Sequence, residues 1–66
     1  MSEYRVCKIA LEHSQSIQNL KFDNKEDAEH YAKNHSILDD DHMYDVQKND
    51  KGEFATIKSY LKGDTV

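Results

Sequence analysis

The segment that decides the fold of this chain is FDNKEDAEHYAKNH, residues 22–35. Four of its side chains recur at i, i+3, i+4 and i+7, the spacing of one stripe on an α-helix: Ala28, Tyr31, Ala32 and His35. Away from that stripe lie Glu26, Glu29, His30 and Lys33. The pattern predicts an amphipathic helix over residues 24–34, with one face packed against a sheet.

The two ends of this helix have recognisable signals. Asp23 is the expected N-cap, and Glu26 three residues later completes a capping box, in which each side chain accepts from the other's backbone amide. Glu29 and Lys33 stand in the favourable i, i+4 order. Asn34 can adopt the left-handed conformation that ends many helices.

The chain before the helix predicts a first hairpin, with strands at residues 4–11 and about 17–22 around a polar turn. Alternation places two groups on opposite faces of the first strand: Cys7, Ile9 and Leu11 on one, Tyr4 and Val6 on the other. In the second strand, Leu20 and Phe22 are expected to face inward.

The chain after the helix predicts a second hairpin. Strands at residues 43–48 and 54–61 flank the connector NDKG, residues 49–52, in which Gly52 suits a positive φ. Strict alternation in the last strand opposes two sets: Phe54, Thr56, Lys58 and Tyr60 against Ala55, Ile57, Ser59 and Leu61. Ile37 and Leu38 are expected to close one end of the core, and residues 62–66 to form a frayed tail.

The element order is therefore β-β-α-β-β, which predicts an α+β fold with one helix packed on a four-stranded, mainly antiparallel sheet. With 66 residues the chain has room for one small domain, expected to be ordered over about residues 3–62. A chain this short gains stability from a partner, and the alternative expectation is a structural homodimer.

The charge is unevenly distributed along the chain. The formal net charge is -4, which disfavours a general nucleic-acid binder. Residues 23–45 carry eight acidic and two basic side chains, whereas the rest carries five acidic and seven basic ones. The run Asp39, Asp40 and Asp41 is expected to be exposed, because adjacent carboxylates are costly to bury without counter-charges.

Catalytic and metal sites are not indicated. The two glycines lie in a turn and in the tail, so there is no phosphate-binding loop, and the lone Cys7 sits mid-strand without a motif around it. The histidines lack metal-ligand spacing: His13, His30, His35 and His42. We expect no enzyme activity, metal or cofactor. Without a signal peptide or an apolar span, a cytoplasmic location and no membrane contact are expected.

The acidic half indicates a small acidic binding protein that occludes a basic site on a partner protein, as an inhibitor or a nucleic-acid mimic. Its expected contact residues are Glu26, Asp27, Glu29, Asp39, Asp40, Asp41 and Asp45. A solvated acidic face with no partner would have the same composition.

The alternative is single-stranded nucleic acid bound on the sheet face, where aromatic and basic side chains alternate. That face would use Tyr4, Lys8, Tyr44, Lys48, Lys58 and Tyr60. Lysines on strands also keep sheet edges soluble, which is the plainer explanation of the same pattern.

The spacing of Phe22, Asn24, Glu26, Ala28, Tyr31 and Ala32 is similar to the helix entry of many small α+β domains. Short accessory proteins of bacteriophages that bind and block host factors are among them. The similarity covers about a dozen residues and transfers no functional residue. The resemblance implies only a functional class, that of small acidic inhibitors.

Overall fold

A computed structural model describes residues 3–12 and 15–66 as one helix packed on a five-stranded antiparallel sheet. The elements are β1 (Tyr4–Ala10), β2 (Gln15–Phe22), α1 (Lys25–Leu38), β3 (His42–Asp50), β4 (Glu53–Leu61) and β5 (Asp64–Thr65). Neighbouring strands pair in the order β2-β1-β3-β4-β5. The predicted α+β class and chain order are confirmed, with a short fifth strand added at the end.

The core lies between the helix and one face of the sheet. Ala28 and Ala32 are fully buried, and their small side chains let the helix approach the strands closely. Beneath them lies the apolar centre of the sheet, where Val6 of β1 stands opposite Val46 of β3. The buried part of the cluster is completed by Tyr44 and Tyr60. The predicted helix stripe is therefore correct at its two alanines.

The helix begins one residue later than predicted. The N-cap is Asn24 rather than Asp23: its Oδ1 accepts from the backbone N–H of Asp27 at 2.8 Å. Asn24 Nδ2 also donates to Asp27 Oδ2 at 2.9 Å. Asp27 thus replaces Glu26 as the partner of the cap residue, but its carboxylate accepts from the Asn24 side chain instead of the Asn24 backbone amide. Local spacing identified the right kind of cap but shifted it by one position.

The helix also ends later than predicted, because its last turn is packed against the end of the chain. Ser36 is completely buried, and its hydroxyl donates to the carbonyl of Lys33 at 2.7 Å. The same oxygen accepts from the backbone N–H of Gly63 at 3.0 Å. Because of this non-local contact, the helix continues past Asn34 to Leu38. Asn34 itself favours helix only weakly, and tertiary structure holds it in the helix.

The predicted hairpin at residues 49–52 is confirmed. Lys51 and Gly52 both have positive φ, 56° and 92°, and Asn49 Oδ1 accepts from Gly52 N at 2.9 Å. A second turn of the same kind follows at Lys62 and Gly63, with φ of 55° and 82°. The predicted frayed tail is therefore wrong, because this turn returns the chain as β5 against β4.

The strict alternation predicted for β4 is also wrong. Val46 stands opposite Lys58, but the next residue of β3, Gln47, stands opposite Thr56, so Ile57 is an extra residue in β4. Because side chains alternate along a strand, this bulge moves Phe54 and Thr56 to the sheet face away from the helix. The face of β4 beneath the helix keeps Lys58 and Tyr60.

We predict that Gly63→Ala destabilises the protein more than Gly52→Ala. Both glycines have positive φ, which costs any other residue about 1 kcal/mol. A Cβ on Gly63 would lie 2.5 Å from Ile37 Cγ1, whereas a Cβ on Gly52 would meet nothing within 4 Å. Urea unfolding should therefore give a further loss of about 1 kcal/mol for Gly63→Ala.

The double variant Gly63→Ala with Ile37→Ala provides the control. Removing the Ile37 side chain should relieve the clash and recover part of the lost stability. Equal losses for the two single glycine variants would show that the β4–β5 turn does not pack against the helix as described.

Candidate functional site

The carboxylate of Asp39, the residue directly after the helix, joins the helix end to the two central strands. It lies 2.8 to 2.9 Å from His42 Nδ1 through its two oxygens, and it accepts from the hydroxyl of Tyr44 at 3.2 Å. The ammonium of Lys8 lies 3.3 Å away. The backbone N–H of Asp41 donates to it at 3.1 Å. We call these five residues the Asp39 cluster.

The contacts within the Asp39 cluster change the acidity of two of its members. The hydrogen bond with His42 is the main cause that lowers the pKa of Asp39 to about 2, and the Asp41 amide and Lys8 act in the same direction. Burial is the main cause that raises the pKa of Tyr44 to about 12, with the Asp39 charge adding to it. At neutral pH the carboxyl is therefore charged and the phenol is protonated.

A row of aromatic rings leads from β2 to this cluster. Phe22 lies 5.4 Å from Tyr31, which stacks on His35 at 3.9 Å, and His35 in turn lies 6.2 Å from Tyr44 between ring centroids. Tyr31 and His35, predicted for the buried helix stripe, are half-buried along this row. The row packs along one side of the helix and ends at the ring of Tyr44.

Four of the seven predicted acidic contact residues have structural partners. Asp39 belongs to its cluster, and Asp27 belongs to the N-cap. Glu29 lies 3.4 Å from Lys58 Nζ, and this contact raises the pKa of Lys58. The remaining one of the four is Asp45, which is only 8% exposed and accepts from the hydroxyl of Ser59 at 2.7 Å on the sheet face away from the helix.

The three other predicted acidic residues are exposed, but they do not form one surface. Glu26 lies in the first turn of the helix, whereas Asp40 and Asp41 follow its last turn. A helix of 14 residues is about 21 Å long at 1.5 Å per residue. The exposed carboxylates of Glu26, Asp40 and Asp41 therefore lie at opposite ends of the helix.

The residues of the alternative nucleic-acid face lie on the side of the sheet that the helix covers. Tyr44 and Tyr60 are 4% and 6% exposed and belong to the core. Lys8 and Lys58 are paired with acidic side chains, Tyr4 is half-buried against the core, and Lys48 is exposed. Bases cannot stack on Tyr44 and Tyr60 while the helix covers these two rings.

The opposite face of the sheet carries a polar network that the sequence pattern did not reveal. Arg5 Nε donates to Gln47 Oε1 at 2.6 Å, and Cys7 Sγ lies 3.3 Å from the same oxygen. Gln47 Nε2 donates to the hydroxyl of Thr56 at 3.1 Å, and the Arg5 guanidinium lies 4.0 Å over the ring of Phe54. The Arg5 guanidinium is thus already engaged by an amide and an aromatic ring.

Exposed apolar side chains occur at the end of the helix and at the end of β1 beside the loop that follows the helix. Leu38 is 84% exposed and Ile37 is 53% exposed, so neither closes the core as the sequence predicted. Leu11 is 46% exposed, and its backbone N–H lies 3.4 Å from the carbonyl oxygen of Asp41. We call the exposed group around this loop the helix-exit surface. Its members are Leu11, Ile37, Leu38, Asp40 and Asp41.

Within residues 3–12 and 15–66, no group of three or more His, Cys, Asp or Glu side chains is arranged to hold a metal ion. His30 is exposed, His35 stacks on Tyr31 and His42 contacts Asp39. His13 lies outside the described residues. The one helix of the described chain is too short and too polar to cross a membrane.

Comparison of the chain with models of protein families, with curated proteins and with solved structures finds no match.

We predict that Asp39→Asn lowers the free energy of unfolding by about 1–2 kcal/mol at pH 7, because it removes the charge that Lys8 and His42 face. The pKa of Asp39 in the folded chain, about 2, lies below its ordinary 3.8. The carboxylate therefore stabilises the fold above about pH 4, and the stabilisation is lost as the pH falls through 2. Denaturant unfolding at several pH values measures the difference.

The matched control is Asp40→Asn, one residue along the chain, where the side chain is exposed. This variant should change stability by less than about 0.5 kcal/mol. The prediction for Asp39 is contradicted if the two variants are equally stable at pH 7, or if the loss from Asp39→Asn is the same at pH 2 as at pH 7.

Proposed function

We propose that this chain is a non-catalytic binding protein that occludes a basic site on a partner protein through its helix-exit surface. The observation that carries the proposal is the exposure of Leu38, 84%, next to the exposed carboxylates Asp40 and Asp41. Apolar side chains at the centre of a surface with a charged rim are typical of protein interfaces.

The exposed leucine is held in place by the fold. Leu38 ends the helix, and Asp39 directly after it is fixed to β1 and β3 by Lys8, His42 and Tyr44. A side chain presented by such a fixed backbone loses little backbone entropy when a partner covers it. At a frayed terminus the backbone would first have to become ordered, and the conformational entropy lost would oppose binding.

The charge of this surface selects the partner. Lys8 and His42 face Asp39, so the carboxylates left to meet a partner are those of Asp40 and Asp41. Together with the negative end of the helix dipole, they favour a basic surface and speed its approach. Glu26 and Asp27 at the other end of the helix lie outside this contact.

The separation of the acidic groups distinguishes between two ways of blocking a basic site, as a nucleic-acid mimic or as another kind of protein inhibitor. A nucleic-acid mimic needs carboxylates in a continuous row that follows the spacing of phosphates. Here two exposed carboxylates, Asp40 and Asp41, follow closely after the exposed Leu38, an arrangement that fits a protein inhibitor better than a mimic. The chain contains one cysteine, Cys7, which is buried, and this low cysteine content suits a reducing compartment such as the cytoplasm.

The test compares capture from a cell lysate by the wild type and by the triple variant Leu38→Ser, Asp40→Asn, Asp41→Asn, read by mass spectrometry. We expect the partner to be retained by the wild type and to fall about tenfold or more with the variant, because buried anchors dominate interface energy. The captured protein should then lose binding to its own ligand when this chain is added.

The matched control is the triple variant Asp23→Asn, Glu26→Gln, Ile57→Ser. It removes two charges at the other end of the helix and one exposed apolar side chain on β4. This control should capture the partner as the wild type does. The same proteins captured by all three baits would overturn the proposal. Self-association of the bait that is lost in the triple variant would replace it by a homodimer.

A further inference from the structure

An open cleft of about 420 Å³ lies beside the helix-exit surface. It is lined by Ala10 and Leu11 at the end of β1, by Glu12, and by Asp41 and His42 at the start of β3. Ala10 stands opposite His42 in the sheet, and the Leu11 amide lies 3.4 Å from the Asp41 carbonyl oxygen. The walls of the cleft therefore belong to paired backbone.

Besides His42, the polar side chains among the described residues that line this cleft are acidic. Glu12 and Asp41 are exposed carboxylates. The third polar side chain, His42, contacts Asp39 through Nδ1, which fixes the orientation of its ring. The nearest cation of the Asp39 cluster, Lys8, is held by the Asp39 carboxylate. An occupant must therefore bring several donors and a positive charge.

The arrangement of residues in the cleft favours a long basic side chain over a metal ion as its occupant. A metal ion would need ligands that converge, and the described residues contain no such group of three. A long basic side chain can instead lay its methylene groups on Ala10 and Leu11 and reach separate acceptors with its head. The guanidinium of arginine has five donors in a fixed plane and can meet two carboxylates at once.

We infer that this cleft receives an arginine side chain of the partner protein. The inference rests on the proposed function, since the cleft shares Leu11 and Asp41 with the helix-exit surface. It adds the chemistry of the contact: an arginine beside an apolar surface that covers Leu38. Lysine has fewer donors and no planar head, so it should occupy the cleft more weakly.

The test is a nuclear magnetic resonance titration of the whole chain with N-acetylarginine amide at low salt. We expect saturable shifts confined to residues 10–12 and 41–42, including the His42 Nε2 resonance. Glu12→Gln with Asp41→Asn should weaken binding about fivefold, while Asp23→Asn with Glu26→Gln should leave it unchanged. N-acetylcitrulline amide, the uncharged analogue, should cause no shifts in the cleft.

Two results would overturn the inference: shifts of equal size at the acidic residues of both helix ends, or shifts that do not saturate. Equal affinity for N-acetyllysine amide would overturn the choice of arginine. The titration does not need the partner, so its outcome is independent of lysate capture. If the titration fails but the triple variant still loses capture of the partner, the arginine assignment is overturned and the proposed function stands.

Discussion

The ionised carboxylate of Asp39 is the contact on which this arrangement depends. It receives Lys8 from β1 and both His42 and Tyr44 from β3, and so it fixes the end of the helix over the central pair of strands. The core alone is small, with two alanines of the helix packed on four side chains of the sheet. Charge-assisted hydrogen bonds at a half-buried position therefore carry a larger share of the docking than they would in a larger domain.

Fixing Asp39 also decides what the molecule presents to its surroundings. The carboxylate turns inward, the next two aspartates turn outward, and Leu38 remains exposed at the last helical position. The β4–β5 turn supports the same end of the helix through Ser36 and Gly63. One end of the molecule thus combines a supported backbone, apolar side chains and free negative charge, the properties that we assign to a binding surface.

The sequence predicts those features that depend on local spacing. Helix periodicity locates Ala28 and Ala32 in the core, and turn chemistry locates the hairpin at Gly52. It does not predict which side of a strand faces the helix once a bulge intervenes, because one extra residue at Ile57 reverses the alternation. Nor does it predict pairs such as Lys8 with Asp39, which the fold brings together from distant positions. The acidic half therefore looks uniform in sequence, although only part of it remains free.

The measurement that tests the central claim most directly is amide hydrogen exchange of the loop after the helix in the wild type and in Asp39→Ala. If the carboxylate fixes this loop, the amides of Asp41 and Leu11, which contact Asp39 and the Asp41 carbonyl, should exchange about tenfold faster in the variant. The amide of Asp27 at the N-cap should be unaffected. Unchanged exchange at Asp41 and Leu11 would contradict the role assigned to Asp39.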